Sequence, residues 1–199
     1  MIIGIVAADR HWGIGKKNGL LFNLPEDMKF FRTQTKDKIV ACGENTLLSF
    51  PGGKPLKGRS TVVLCPEGHE YNDCICMHTF EDFIKALKVL SITNDIYIIG
   101  GGMIYKSMLP YYDKVLVNKV DAKDPEATVF FPNLDVDDNF YLAYSDEPKQ
   151  DGDYITTLCT YRRYNIMTSD EMQKVRITTA YNNINLDNIE LFEDALYRS

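Results

Sequence analysis

Ile96-Tyr-Ile-Ile-Gly-Gly-Gly-Met-Ile-Tyr105 joins a short apolar run, through three glycines, to the start of a helical pattern. A run of this length with no polar alternation is what a strand buried on both faces looks like. Glycine permits a tight turn and lets a ligand approach backbone N–H groups, and the positive end of the helix favours an anion. The stretch is not the dinucleotide-binding fingerprint. Gly100 and Gly102 fit its first two positions, but Tyr105 stands where the third glycine belongs, and the motif lies in mid-chain. By itself it is read either as an anion site at a helix start or as a plain structural turn.

Outward from this stretch the same signal repeats. Residues 2–8, 39–42, 60–65, 74–77 and 114–120 read as buried strands, and 140–144 and 154–164 as two late β runs with no helix between them. Pro25 suits the first position of a helix whose apolar face is Met28, Phe30 and Phe31. Thr79 with Asp82 three residues on predicts an N-cap, followed by Phe83, Leu87 and Leu90 at helical spacing. A third helix follows Gly102, carrying Ile104, Tyr105 and Leu109 before Pro110. The sum is an α/β domain around one mainly parallel sheet, closed by antiparallel C-terminal strands. In residues 166–199, Ser169 and Asp187 are N-cap candidates, and Ile189, Phe192 and Leu196 make an amphipathic stripe that packs on its own domain or on a second subunit.

Composition narrows the function. With 22 Lys+Arg against 28 Asp+Glu, net −6, the chain lacks the basic footprint of a nucleic-acid binder. No apolar run approaches the ~18 residues of a membrane helix, and the opening MIIGIVAADR lacks the cationic lead of a signal peptide. Five cysteines, an odd number without secretory context, predict reduced thiols and a cytoplasmic location. The charge is uneven: residues 1–66 hold ten basic and five acidic side chains, net +5, and the remainder is net −11. The basic first third is either a chance distribution or the part that meets an anionic ligand.

Several other patterns can carry chemistry. Asp27, with Met28 and Phe31 near it on one helix, gives a carboxylate in an apolar-aromatic setting; it can pair with an amidine-like heterocycle or simply sit in the first helical turn. Residues 13–19 form a Gly-rich loop long enough for a lid. Arg59 follows a second loop and can clamp a carboxylate or lie in solvent. Cys74, Cys76 and His78 alternate on a strand, but three ligands with no evident fourth read better as thiols and a surface imidazole, so no metal is expected.

Five motifs stand in a familiar order: Ala8-Asp-Arg-x-x-Gly-Ile-Gly15, Asn23-Leu-Pro-Glu-Asp27, Lys54-Pro-Leu-Lys-Gly-Arg59, Ile99-Gly-Gly-Gly-x-x-Tyr105 and Phe130-Phe-Pro132. Together they resemble dihydrofolate reductase over residues 1–165, leaving 166–199 as an extension. The resemblance implies an eight-stranded sheet with four helices and NADPH-dependent reduction of 7,8-dihydrofolate to tetrahydrofolate, serving one-carbon and thymidylate metabolism. Asp27 matches the single active-site acid, with Asn118 beside it. Ile5, Ala7 and Ile99 would frame the pterin. Met28, Phe31, Phe50 and Leu56 would line the groove, and Arg59 would grip the glutamate carboxylate. Ala7, Ile14, Gly15, Leu20, Gly43, Asn45, Thr46, Gly100, Gly101, Gly102, Met103, Ile104 and Tyr105 would hold the cofactor. The chain would be a monomer, or a homodimer through its C-terminal extension.

Several positions depart from the family pattern. Leu21-Phe22 replaces Pro-Trp, Asn118 replaces a threonine, and Glu44 replaces the arginine that meets the adenosine 2′-phosphate. Glu44 implies a weakened NADPH preference, with NADH accepted as well. The competing readings are a ribosylaminouracil reductase of riboflavin synthesis, which shares the fold, and a pterin- or nucleotide-binding structural protein without catalysis.

Overall fold

The computed structural model describes residues 1–16 and 19–164. The candidate caps Ser169 and Asp187 and the stripe Ile189, Phe192 and Leu196 lie outside the described residues, as do positions 17 and 18 of the expected lid. Among the described residues, twelve strands and four α-helices follow in the order β1 Ile2–Ala8, β2 Gly13–Lys16, β3 Gly19–Leu20, α1 Pro25–Thr35, β4 Ile39–Gly43, α2 Glu44–Ser49, β5 Ser60–Leu64, β6 Cys74–Met77, α3 Phe80–Leu90, β7 Ile96–Ile98, α4 Gly102–Met108, β8 Lys114–Val120, β9 Val129–Phe130, β10 Phe140–Ser145, β11 Lys149–Asp151 and β12 Tyr154–Arg163.

The main sheet runs β10-β12-β8-β1-β7-β4-β5-β6, with β11 attached to β12 as a ninth strand. From β8 to β6 every pairing is parallel, and β12 closes the sheet antiparallel to β8. The central strands are apolar without alternation because both their faces are covered: Val40, Ala41, Cys42, Val62, Val63 and the whole of β7 are buried. On one face Ile3, Ile5, Val40, Tyr97 and Leu116 pack with Phe30 and Phe31 of α1. On the other, Phe83, Ile84 and Leu87 of α3 and Ile104, Tyr105 and Met108 of α4 join the larger cluster. Burying each such side chain contributes roughly 1.5–3 kcal/mol. The edge strand β10 buries only Phe140.

Local sequence explains the ends of these elements. Pro25 occupies the first turn of α1, where its missing N–H costs nothing. Thr79 caps α3, its Oγ1 accepting from Asp82 N at 3.1 Å and donating to the Asp82 carboxylate at 2.7 Å. The six-residue α2 was not visible as a periodic pattern, because it buries only Leu47.

The expected loop over residues 13–19 is corrected by the structure. Its described residues form a hairpin, β2 with β3, and β2 also pairs with β9 in a separate three-stranded sheet. Asp9, 4% exposed, organises the approach: its carboxylate accepts from His11 N and Gly13 N at 2.8 Å and from Asp124 N at 3.0 Å. A Cβ at Gly13 would lie 2.9 Å from Ala127 Cβ, so only glycine fits there.

Candidate active site

Asp27 and Asn118 come from elements 91 residues apart and meet at one hydrogen bond, Asn118 Nδ2 donating to Asp27 Oδ1 at 3.0 Å. Register explains the encounter. Asn118 lies on β8 opposite Ala7 of β1, where the carboxyl ends of parallel strands open toward the first turn of α1. Asp27 is half-buried, and Asn118 is 5% exposed. Burial pushes the Asp27 carboxyl above the usual carboxylate range; the Asn118 amide opposes this, the Asp151 charge adds to it, and Lys149 works against it. Glu26, Asp27, Phe30, Asn118, Lys149 and Leu158 line a small recess here. The Asn118 Oδ1 is buried and unpartnered, an acceptor left over where the resemblance implied a hydroxyl.

The glycine stretch is assembled beside β4 and α2. Gly43 N donates to Gly100 O at 2.9 Å, and Ile99 N to Ala41 O at 3.0 Å. Gly100 has φ +125, and a Cβ on Gly100 or Gly101 would lie 3.2 Å from Thr46 Oγ1. Side chains at 100 and 101 would therefore fill the cradle between β7 and α2. A Cβ on Gly43 would reach 3.0 Å from Ile104 Cγ1, and one on Gly102 would collide with Val129 of β9. Val129 is also the partner of Gly15, so β9 joins Gly15 to Gly102.

The remaining expected residues take varied positions. Tyr105 is buried, its hydroxyl donating to Ile5 O at 2.8 Å. Ile5 and Ile14 are buried, whereas Ala7, Met28, Phe31, Leu56 and Ile99 are half-buried. Phe50 is half-buried against the cluster of Cys42, Leu47, Val63 and Cys65. Leu20, Met103 and Asn45 are exposed.

Arg59 is held by the C-terminal end of α1. Its Nε and Nη2 donate to Thr35 Oγ1 at 3.2 and 3.1 Å, Nη2 also to Arg32 O at 3.1 Å, and Nη1 to Lys57 O at 2.7 Å. Of the five guanidinium N–H donors, these bonds leave one on Nη1, so a bidentate grip requires Nη2 to turn from Arg32 O.

Glu44 opens α2 and is engaged. Its Oε1 accepts from Tyr71 OH at 2.5 Å and lies 2.6 Å from His69 Nδ1. The Tyr71 bond, then His69, lower the Glu44 carboxyl, and the same bond pushes Tyr71 up to about 12. Sequence reasoning missed His69 and Tyr71 because they sit in the connection between β5 and β6, and missed Asp151 and Val129 because no motif marks them. His78 bonds Pro66 O and Glu70 and lies 3.7 Å from Cys65 Sγ. Among the described residues no group of three or more His, Cys, Asp or Glu side chains is arranged to hold a metal.

A family model described as dihydrofolate reductase matches residues 1–165. The chain belongs to the dihydrofolate reductase family. A dihydrofolate reductase from Haemophilus influenzae is 32% identical over 130 residues, covering 65% of this chain and 78% of that protein. One from Bacillus subtilis is 29% identical over 153 residues, covering 76% and 86% respectively. Among solved structures, a dihydrofolate reductase from Enterococcus faecalis complexed with NADP(H) and RAB-propyl superposes with a TM-score of 0.72 at 25% identity, over 83% of this chain and 97% of that one. Within this dihydrofolate reductase fold, Phe22 packs edge-on to Tyr154 with ring centroids 4.8 Å apart, so the position where the resemblance implied an indole is an apolar contact. Among the described residues no helix is long and apolar enough to cross a membrane.

Proposed function

We propose that the chain reduces 7,8-dihydrofolate to 5,6,7,8-tetrahydrofolate with NADPH and takes NADH as a second hydride source. The observation that carries the reading is the half-buried Asp27 carboxyl, held by Asn118 at the carboxyl ends of β1 and β8. A carboxylate there binds the 2-amino-pyrimidine edge of a pterin through two charge-assisted hydrogen bonds. Its raised proton affinity keeps a proton available nearer to neutral pH, which is what protonation at N5 needs. In this reading Phe31, Phe50 and Leu56 line the groove for the aminobenzoyl ring, and Arg59, re-aimed from Arg32 O, meets the glutamate carboxylate.

Gly100, Gly101, Gly102, Gly43 and Thr46 fit a nicotinamide dinucleotide: the cradle beside Thr46 has no room for side chains at 100 and 101 and so exposes backbone to phosphate. The nicotinamide, when bound, supplies the hydride for C6. The chain's part is to hold dinucleotide and pterin against one another and to exclude water. At the adenosine end Glu44 does not fit a 2′-phosphate. A carboxylate suits a ribose hydroxyl, and an arginine suits the phosphate. His69 and Tyr71 hold the Glu44 carboxylate in place. We take residues 1–165 as the catalytic body, 166–199 as an extension, and the cytoplasm as the setting, in keeping with the five free cysteines.

Steady-state assays with dihydrofolate and either cofactor test the proposal, with Asp27→Asn and Glu44→Arg beside the parent. Turnover with both cofactors, loss of turnover in Asp27→Asn, and a gain in the NADPH/NADH ratio of kcat/KM of about tenfold or more in Glu44→Arg are expected. Absence of turnover with either cofactor defeats the activity, and an unmoved ratio defeats the placement of Glu44.

A further inference from the structure

The first turn of α1 has no cap of its own. Leu24 stands at the N-cap position and offers no side-chain acceptor, where Ser, Thr, Asp or Asn ordinarily accepts from an amide of the first turn. The acceptor arrives from the other end of the fold. Asp151, last residue of β11, is 1% exposed. Its Oδ1 accepts from Glu26 N and its Oδ2 from Asp27 N, each at 2.9 Å. One buried carboxylate thus satisfies two free amides and faces the positive end of the helix dipole. The turn that presents it is fitted to the chain entering α1: Gly152 has φ +58, and a Cβ there would lie 3.0 Å from Asn23 O.

Asp27 is therefore gripped twice, by Asp151 through its backbone and by Asn118 through its side chain. The groups that face its carboxyl are Asn118 from β8, Lys149 and Asp151 from β11, Glu26 beside it on α1, and the buried Tyr105 phenol of α4; Phe30 and Leu158 are the apolar neighbours. Lys149 and Asp151 bring opposite charges from the same short strand, and Asp151 also accepts from the Asp27 backbone.

We propose that Asp151 is a positioning residue for dihydrofolate reduction: it caps α1 from the β11–β12 hairpin, fixes the Asp27 backbone over the substrate edge, and supplies a negative charge against which Asp27 works. This rests on the reading of Asp27 as the active-site acid. A cap alone would hold geometry at every pH. A charge also sets the pH range over which the Asp27 proton is present.

The test measures kcat and KM for dihydrofolate as functions of pH in the full chain and in Asp151→Asn, Asp151→Ser and Asp27→Asn, with thermal melts of each. Asparagine and serine keep one acceptor and remove the charge. Both are expected to move the alkaline limb of the kcat profile to lower pH by roughly 0.5–1 unit, a loss of about 3- to 10-fold in rate on that side, while the acid-side rate is better preserved. A kcat lowered equally at all pH values with an unmoved limb overturns the proposal, since a purely structural cap predicts that. If Asp151→Asn does not fold, Asp151→Ser carries the same readout. An Asp27→Asn protein with full activity overturns the reading of the acid itself; an inactive Asp27→Asn beside an unmoved Asp151→Asn profile overturns only the role of Asp151.

Discussion

Gly102→Ala isolates the contact that joins the small sheet to the glycine stretch. A Cβ on Gly102 would lie 2.4 Å from Val129 Cγ1 but 3.9 Å from Val129 Cβ. Carbon atoms attract best at about 3.5–4.0 Å, so β9 or the first turn of α4 must give by about 1.1 Å or more. Backbone preference does not oppose the change, because Gly102 is the first residue of α4 and alanine suits a helix better than glycine. Sterics alone decide the sign, and overpacking of this kind costs about 1–3 kcal/mol. The free protein relieves it by displacing β9, and with β9 goes β2, paired through Gly13↔Phe130 and Gly15↔Val129. Binding NADPH requires the hairpin to return, so the dissociation constant rises roughly 5- to 150-fold. Val129→Ala removes the clashing atom and leaves the 3.9 Å contact. Gly102→Ala/Val129→Ala then recovers most of the loss, a coupling of about 1–3 kcal/mol. NADPH titrations of the parent, both single variants and the double variant, with melts to confirm folding, give the cycle. Parent-like binding by Gly102→Ala, or a double variant no better than Gly102→Ala, refutes the reasoning.

Two further outcomes follow from the site. Burial raises the proton affinity of Asp27 in the folded chain, so the folded state holds more protons than the unfolded one between the two pKa values, and the stability this group contributes falls as pH rises through that window. Asp27→Asn is therefore expected to raise Tm at neutral pH, with the gain disappearing in acid where the parent carboxyl is protonated; an unchanged or lower Tm at neutral pH contradicts it. Arg59→Ala is expected to raise KM for dihydrofolate about 10- to 150-fold with a smaller change in kcat, the worth of a charged hydrogen-bonded pair, and to change KM little for a dihydropteroate lacking the glutamate; equal losses on both substrates show that Arg59 acts through its anchors at Thr35 and Arg32 instead.

Much of the site was legible because its parts are local. Asp27 sits two residues after Pro25 at a helix start, and the glycines follow a buried strand directly, so each carries its conformation in its neighbours. Asn118 could be paired with Asp27 only through the family resemblance, and the structure supplies the bond. The Gly-rich segment at residues 13–19 reads as a loop because two- and four-residue strands are too short for periodicity, and β2 pairs both with its neighbour β3 and with β9, more than a hundred residues away. The partners of Glu44 are hidden from the sequence for a similar reason: the imidazole of His69 and the hydroxyl of Tyr71 come from beyond the next strand.

The sequence alone determined the α/β class, where the central strands lie along the chain and the helices long enough to show a stripe, because burial on two faces and helical spacing are written in consecutive residues; their order in the sheet is a tertiary fact. Tertiary structure decided what depends on register. Parallel pairing of β8 with β1 puts Asn118 opposite Ala7. The turn at Gly152 delivers the Asp151 carboxylate to the uncapped amides of α1. Val129 closes on Gly102 only because β9 pairs with β2. A hydrogen bond or a close contact is fixed to tenths of an ångström between atoms far apart in the chain, and no local pattern of residue types holds that information.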